Sequence, residues 1–277
     1  MRIAVLSGKG GAGKTFIAVN LACVSDDALY IDCDAEEPNG HLFLKPEALK
    51  RESVFVSVPE WNQTLCNGCR RCVDFCRYNA LAMIKNRLLI FKELCHACGG
   101  CMILCPRKAL TERPREIGHV ENGRSGNVSV LTGYLNPGEV SAVPVIKAVL
   151  GRTAERADVV IDCPPGSACT VMESIRDADF CILVAESTVF GVDNLGMVHD
   201  LVKLFGKPFG AVISKRIGDE DPAKEFCVRH GIPILAEFPY DRRIAALNSN
   251  GTVAVRADAR YAKRFRALLS AVKERTR

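Results

Sequence analysis

The most constraining feature of the chain is the octapeptide Gly8-Lys9-Gly10-Gly11-Ala12-Gly13-Lys14-Thr15, a match to G-x-x-x-x-G-K-[ST]. The apolar run RIAVLS precedes it and TFIAVNLACV, with helical apolar spacing, follows it. Strand, glycine loop and helix in that order form a phosphate cradle. The glycines let successive backbone N–H groups converge on phosphate oxygens, and the positive end of the helix adds to the attraction. Lys14 would reach the β- and γ-phosphates, and the Thr15 hydroxyl would bind Mg²⁺. A second apolar run, ALYID at 28–32, completes a βαβ opening of a parallel sheet.

Fourteen cysteines then need a reason. The N-terminus passes straight from a short apolar run into glycines, which is a first strand and no signal peptide, and no segment reaches the roughly 18–20 apolar residues of a membrane span. The expected location is therefore the cytoplasm, where disulfides are disfavoured and metal ligation is the better account. Eight of the cysteines form two runs of one spacing, Cys66-x2-Cys69-x2-Cys72-x3-Cys76 and Cys95-x2-Cys98-x2-Cys101-x3-Cys105-Pro106. Zinc sites are built from C-x2-C pairs closing on four ligands and do not call for two triads, each with a remote fourth cysteine. Between the runs, LAMIKNRLLIF suggests two short strands turning at Lys85-Asn86. The other cysteines, at 23, 33, 163, 169, 181 and 227, lie mostly in apolar segments and read as small packed hydrophobes.

After about residue 116 a βα rhythm returns. Strands are expected at 128–131, 158–162, 180–185, 209–214 and 232–237, and helices at 140–150, 192–205, 222–230, 241–249 and 257–274. The domain reading is a discontinuous P-loop domain, residues 1–57 and 114–277, with residues 58–113 inserted. Without the insert about 220 residues remain, a normal size for one α/β domain.

The string KGGAGKT resembles the deviant Walker A motif of the MinD, ParA and nitrogenase iron-protein class. That resemblance implies that Lys9 reaches the phosphates of a partner subunit in a sandwich dimer, the alternative being a solvated surface lysine. It also makes IDCDAEEPN a first switch segment, in which Asp34 orients the attacking water and Asp32 supports the Mg²⁺ shell. VVIDCPPG becomes Walker B running into a second switch of Pro165 and Gly166, with Asp162 holding Mg²⁺ through water and the Gly166 N–H sensing the γ-phosphate. The catalytic set would be Lys9, Lys14 and Asp34. For the base, the resemblance points to Ser214, where relatives usually carry Asn, and to Pro239 and Asp241 in the loop EFPYD.

The cysteine runs resemble a bacterial two-cluster ferredoxin, in which the fourth cysteine of each run serves the other cluster. One [4Fe–4S] cluster would take Cys66, Cys69, Cys72 and Cys105, and the other Cys95, Cys98, Cys101 and Cys76. Arg77 stands where proline usually follows the first run. Two oxidised clusters with their thiolates, about −2 each, would bring the formal +5 near neutral, so basicity gives no ground for expecting nucleic acid. With both motifs in place, the chain resembles the MinD-superfamily P-loop ATPases that carry an inserted α+β two-cluster ferredoxin domain. The resemblance implies ATP, Mg²⁺ and two [4Fe–4S] clusters as cofactors. It implies as partners a second copy or a related ATPase subunit, and a redox acceptor protein. ATP-gated electron transfer is the leading expectation. An iron–sulfur assembly or carrier factor and a positioning ATPase with redox-sensing clusters are the alternatives. The apolar stripe Tyr261, Phe265, Leu268, Leu269 and Val272 of the last helix fits either packing on the sheet or an interfacial anchor, and packing is the better reading.

Overall fold

The computed structural model describes residues 1–152, 158–216 and 221–276. The first half of the chain runs β1 (Arg2–Leu6), α1 (Lys14–Val24), β2 (Ala28–Asp32), α2 (Gly40–Leu44) and β3 (Glu47–Trp61). It continues through α3 (Arg71–Phe75), β4 (Leu81–Ile84), β5 (Arg87–Ile90), α4 (Gly100–Ile103) and β6 (Leu110–Ser125). The second half runs β7 (Val128–Leu135), α5 (Val143–Leu150), β8 (Asp158–Asp162), α6 (Cys169–Ile175), β9 (Phe180–Glu186) and α7 (Val189–Leu204). It ends with β10 (Phe209–Arg216), α8 (Pro222–His230), β11 (Ile234–Pro239), α9 (Arg242–Ser249), α10 (Ala254–Ala257) and α11 (Ala259–Thr276).

Nine strands form one sheet in the order β11-β10-β9-β1-β8-β2-β7-β6-β3. The seven strands from β11 to β7 are mutually parallel, β6 pairs antiparallel with β7, and β3 antiparallel with β6. Strand alternation assigns the two faces. Ile3 and Val5 of β1 pack with α1 and α11, while Ala4 and Leu6 pack with α5, α6 and α7. The stripe Tyr261, Phe265, Leu268, Leu269 and Val272 is buried in the first of these cores, where Phe16 and Phe265 meet edge-on, 5.7 Å apart. Among the described residues no helix is long and apolar enough to cross a membrane.

The long antiparallel ribbon is where the structure departs most from the sequence reading. Residues 112–118, which straddle the boundary drawn at 114, lie inside β6, which pairs with β3 from Glu47↔Arg124 to Trp61↔Leu110. The sheet therefore runs past the boundaries drawn at 57 and 114. Strand identity was hidden because most β3 side chains are exposed, the apolar Ala48, Leu49 and Phe55 among them, which leaves no clean apolar alternation. The short helices α2, α3, α4, α6 and α10 were not anticipated either, and α5 starts at Val143, after residue 140. At the far end of the ribbon, Leu81, Leu88, Cys101 and Leu110 form a small separate core with Trp61, Met83 and Ile90. There β4 and β5 form a hairpin whose turn residues Lys85 and Asn86 both have positive φ, 46° and 63°, as a two-residue primed turn requires.

Candidate functional site: a nucleotide cradle and two cysteine-lined cavities

The octapeptide leaves the carboxyl end of β1, the middle of the parallel sheet, where open α/β sheets bind ligands. Gly11 and Gly13 take φ of 80° and 100°, a region side chains resist. Gly8 is needed for another reason, since a Cβ there would lie 2.2 Å from the carbonyl oxygen of Asn194 on α7. Ala12 is buried, and Thr15 is half-buried in the first turn of α1.

Asp32 and Asp162 face each other in register at the ends of β2 and β8. Lys14, itself buried, donates to Asp162 Oδ1 at 2.8 Å and stands 3.8 Å from Asp34. Burial alone would lower its pKa, but the carboxylates of Asp162, Asp34 and Asp32 together outweigh it and hold the ammonium above its usual range. Burial pushes the Asp34 carboxyl up to about 6, with Lys14 opposing. Asp32 is fully buried, and burial together with the charge of Asp162 raises its pKa. Its oxygens are spent on backbone donors: Oδ1 accepts from Asp34 N (3.1 Å), and Oδ2 from Gly40 N (2.9 Å) and Asn39 N (3.2 Å). Asp32 thus holds the shape of the 34–40 loop. Pro165 is exposed, and Gly166, with φ of 90°, donates its N–H to Ser7 O at 2.9 Å.

Three residues that contact the site were missed. Tyr30 is fully buried and donates to Asp162 Oδ2 (2.9 Å), with Asp32 Oδ2 3.4 Å away. The signal was a phenol within the buried strand ALYID, since a buried hydroxyl needs a partner. Glu186, at the end of β9, binds Lys9 at 2.6 Å and Lys215 at 2.8 Å, and Lys215 also donates to Gly11 O at 2.5 Å. Lys9 is therefore held within its own chain by a carboxylate the sequence reading did not weigh. Burial would raise the Glu186 pKa, but its hydrogen bonds to Lys215 and Lys9 bring it below the usual range.

Beside the loop a cavity of about 330 Å³ is lined by Gly13, Phe16, Pro239, Tyr240, Asp241 and Asn248. Ser214 also borders it, but its hydroxyl donates to Ala12 O at 2.7 Å and so anchors the loop to β10. The Asp241 carboxylate accepts from Arg243 N (2.7 Å) and Tyr261 OH (3.1 Å). It caps α9 at the cavity wall.

In the insert, Cys76, Cys95, Cys98 and Cys101 line a cavity of about 240 Å³. Cys66, Cys69, Cys72 and Cys105 line a second, tighter one of about 20 Å³. These are the two four-cysteine sets that the ferredoxin resemblance pairs. Burial pushes the Cys101 thiol up to about 11, helped by the charges of Cys95 and Cys98, and Cys72 is raised by burial and by Cys105 and Cys66. Among the described residues no group of three His, Cys, Asp or Glu side chains could hold one metal ion. Of the other cysteines, 33, 163, 181 and 227 are buried, Cys23 is half-buried and Cys169 is exposed.

A glycine cradle at the end of the central strand, with Asp162 ending its neighbour β8 and Asp32 ending β2 beyond it, defines a P-loop nucleotide-binding domain. The family model described as the CobQ/CobB/MinD/ParA nucleotide-binding domain (CbiA) matches residues 3–254, and the chain belongs to that family. Two uncharacterized proteins of Methanocaldococcus jannaschii, MJ0578 and MJ0579, are each 26% identical over 91% of this chain, covering 92% and 90% of their own lengths. A 48-residue stretch, 17% of this chain, is 38% identical to 18% of a component of the ion-translocating oxidoreductase complex of Methanosarcina acetivorans. The cell division ATPase MinD of Pyrococcus furiosus shares the fold, with a TM-score of 0.60 and 19% identity over 99% of this chain and 98% of that one. The septum site-determining protein MinD of Pyrococcus horikoshii, solved with Mg-ADP, gives 0.58 and 19% over 96% and 93%.

Proposed function

We propose that the protein binds and hydrolyses ATP and couples the resulting switch and dimer changes to low-potential electron transfer from two [4Fe–4S] clusters to a partner protein. The observation that carries this reading is one continuous ribbon. β3 and β6 belong to the sheet that ends in Asp32 and Asp162, and their far ends pack against the core containing Cys72 and Cys101. The oxidoreductase component sharing a 48-residue stretch is further support.

The residue types present suit each cofactor. For nucleotide, the glycine loop offers backbone donors and Lys14 a cation. The cavity beyond Gly13 offers an apolar slot between Phe16 and Tyr240 for the base. For Mg²⁺, the Thr15 hydroxyl and the Asp162 carboxylate are hard oxygen donors, with Asp32 holding the neighbouring loop in place. When bound, the metal would neutralise phosphate charge. Lys14 would leave Asp162 for the phosphates, and Asp34, 3.8 Å from Lys14, would orient the attacking water. Lys9 would exchange Glu186 for a partner's nucleotide in the dimer.

For the clusters, four thiols line each cavity. Thiolates around a cube each bind a different iron, so they need not crowd around one centre as single-ion ligands do. The tighter Cys66 set must spread to admit a cluster. Bound clusters would supply one-electron chemistry at low potential.

A second reading, a positioning or regulatory ATPase that uses the clusters as a redox sensor, is favoured by the near full-length fold match to MinD. An assembly or carrier factor should hand its clusters to an apo-acceptor, whereas both readings above require that it keep them. The test is anaerobic purification followed by iron analysis, EPR and ATPase assay. Close to eight irons per chain, reduced [4Fe–4S] signals and Lys14-dependent hydrolysis are expected. A zinc-only preparation would contradict the cluster assignment.

A further inference from the structure

The two cysteine-lined cavities differ in charge. The Cys66 set is walled by Arg70, Arg71 and Arg107, with no acidic residue in its lining. The Cys95 set has one arginine, Arg77, beside the stacked rings of Tyr78 and His96. Arg70, Arg71 and Arg107 are exposed and line one cavity with the exposed Cys69, and Lys108, next in sequence to Arg107, is exposed too. Among the described residues none of the four has a carboxylate within 4.0 Å, although surface cations elsewhere, such as Arg113 and Lys224, are paired. Leu65 and Leu104, next in sequence to Cys66 and Cys105, remain 44% and 42% exposed.

Unpaired arginines interleaved with exposed leucines are the composition of a protein–protein contact surface, where arginine is enriched. Four surface cations also outnumber the roughly two negative charges that a cluster with its thiolates would place beneath them. With the exposed Asp74 of α3 counted as well, the formal charge of the face is still about +1.

We propose that this face, Arg70, Arg71, Arg107 and Lys108 around Cys69, is where an acidic redox protein docks, so that electrons pass through the Cys66-side cluster. The proposal rests on the two-cluster reading. The docking face supplies steering and register, and the exposed Cys69 edge gives the shortest path to the partner. A nucleic acid would use the cations without needing the leucines.

The test uses the full-length holoprotein, anaerobic and reduced, with its clusters first counted by EPR. Stopped-flow oxidation is then followed with an acidic flavodoxin and, separately, with a basic c-type cytochrome. The flavodoxin rate should fall steeply between low and high salt. It should drop at least about tenfold in the combined Arg71→Glu, Arg107→Glu, Lys108→Glu variant, while the cytochrome rate rises. ATP hydrolysis and cluster signals of the variant should be unchanged. If the variant does not retain its clusters, Lys108→Gln and the salt dependence of the unaltered protein carry the same test. A flavodoxin rate indifferent to charge and salt, with cluster signals intact, overturns the docking face alone. Reversal that abolishes single-stranded DNA binding and leaves the flavodoxin rate unmoved overturns it too. Absence of cluster signals in the unaltered protein overturns the cluster reading itself, and the docking face with it.

Discussion

A single phenol ties the nucleotide site together. Tyr30 satisfies Asp162 Oδ2 while Lys14 holds Oδ1, so the aspartate is fixed from both sides. Tyr30→Phe leaves that buried oxygen without a donor, and a hydrogen bond to a charged group is worth about 1.5–3 kcal/mol. We expect a stability loss of that order by urea titration, and a raised Mg²⁺ requirement for ATP turnover. Gly40 is locked to the same ring, because a Cβ there would fall 2.1 Å from the Tyr30 hydroxyl oxygen. Gly40→Ala should destabilise by about 1–3 kcal/mol as an overpacked core position. An unchanged urea midpoint in both variants would remove Tyr30 from its role.

At the scale of elements, helix α11 carries a titratable start. Asp258 accepts from the Arg260 guanidinium and from Arg260 N, and these bonds hold its carboxyl down to about 2. Because the folded pKa lies below the unfolded one, the stabilisation is whole above about pH 4 and is lost as pH falls toward 2. Asp258→Asn should therefore lower the unfolding midpoint at pH 7, and the gap to the unaltered protein should narrow at pH 3. The parallel strands and their helices were largely readable from apolar periodicity, and α8 was read to the residue, from Pro222 to His230. The ribbon was not readable, since its pairing is long-range and its side chains largely solvated. The glycine cradle, Asp32, Asp34 and Asp162 could be named because motif chemistry is local. Tyr30 and Glu186 could not, because their partners lie 132 and 177 residues away in sequence, and only strand order brings them together.

At the scale of the whole molecule, Lys9 and the ribbon state the two couplings on which the account depends. Lys9 is parked on Glu186, so its exchange to a second chain is the step that would make hydrolysis depend on dimerisation. Lys9→Ala should abolish turnover while leaving nucleotide binding by the monomer intact, measured by calorimetry beside a hydrolysis assay. Turnover that survives would dismiss the action in trans. The ribbon in turn makes the cysteine module an extension of the sheet that carries Asp32 and Asp162, so a switch movement would have a stiff route to the proposed clusters. The most direct measurement is an EPR-monitored redox titration of the holoprotein with and without MgATP. A coupling of about 1.4 kcal/mol, ordinary for linked sites, is about 59 mV for a one-electron couple. A nucleotide-dependent shift of at least that order is expected in one cluster; superimposable titration curves would contradict the coupling.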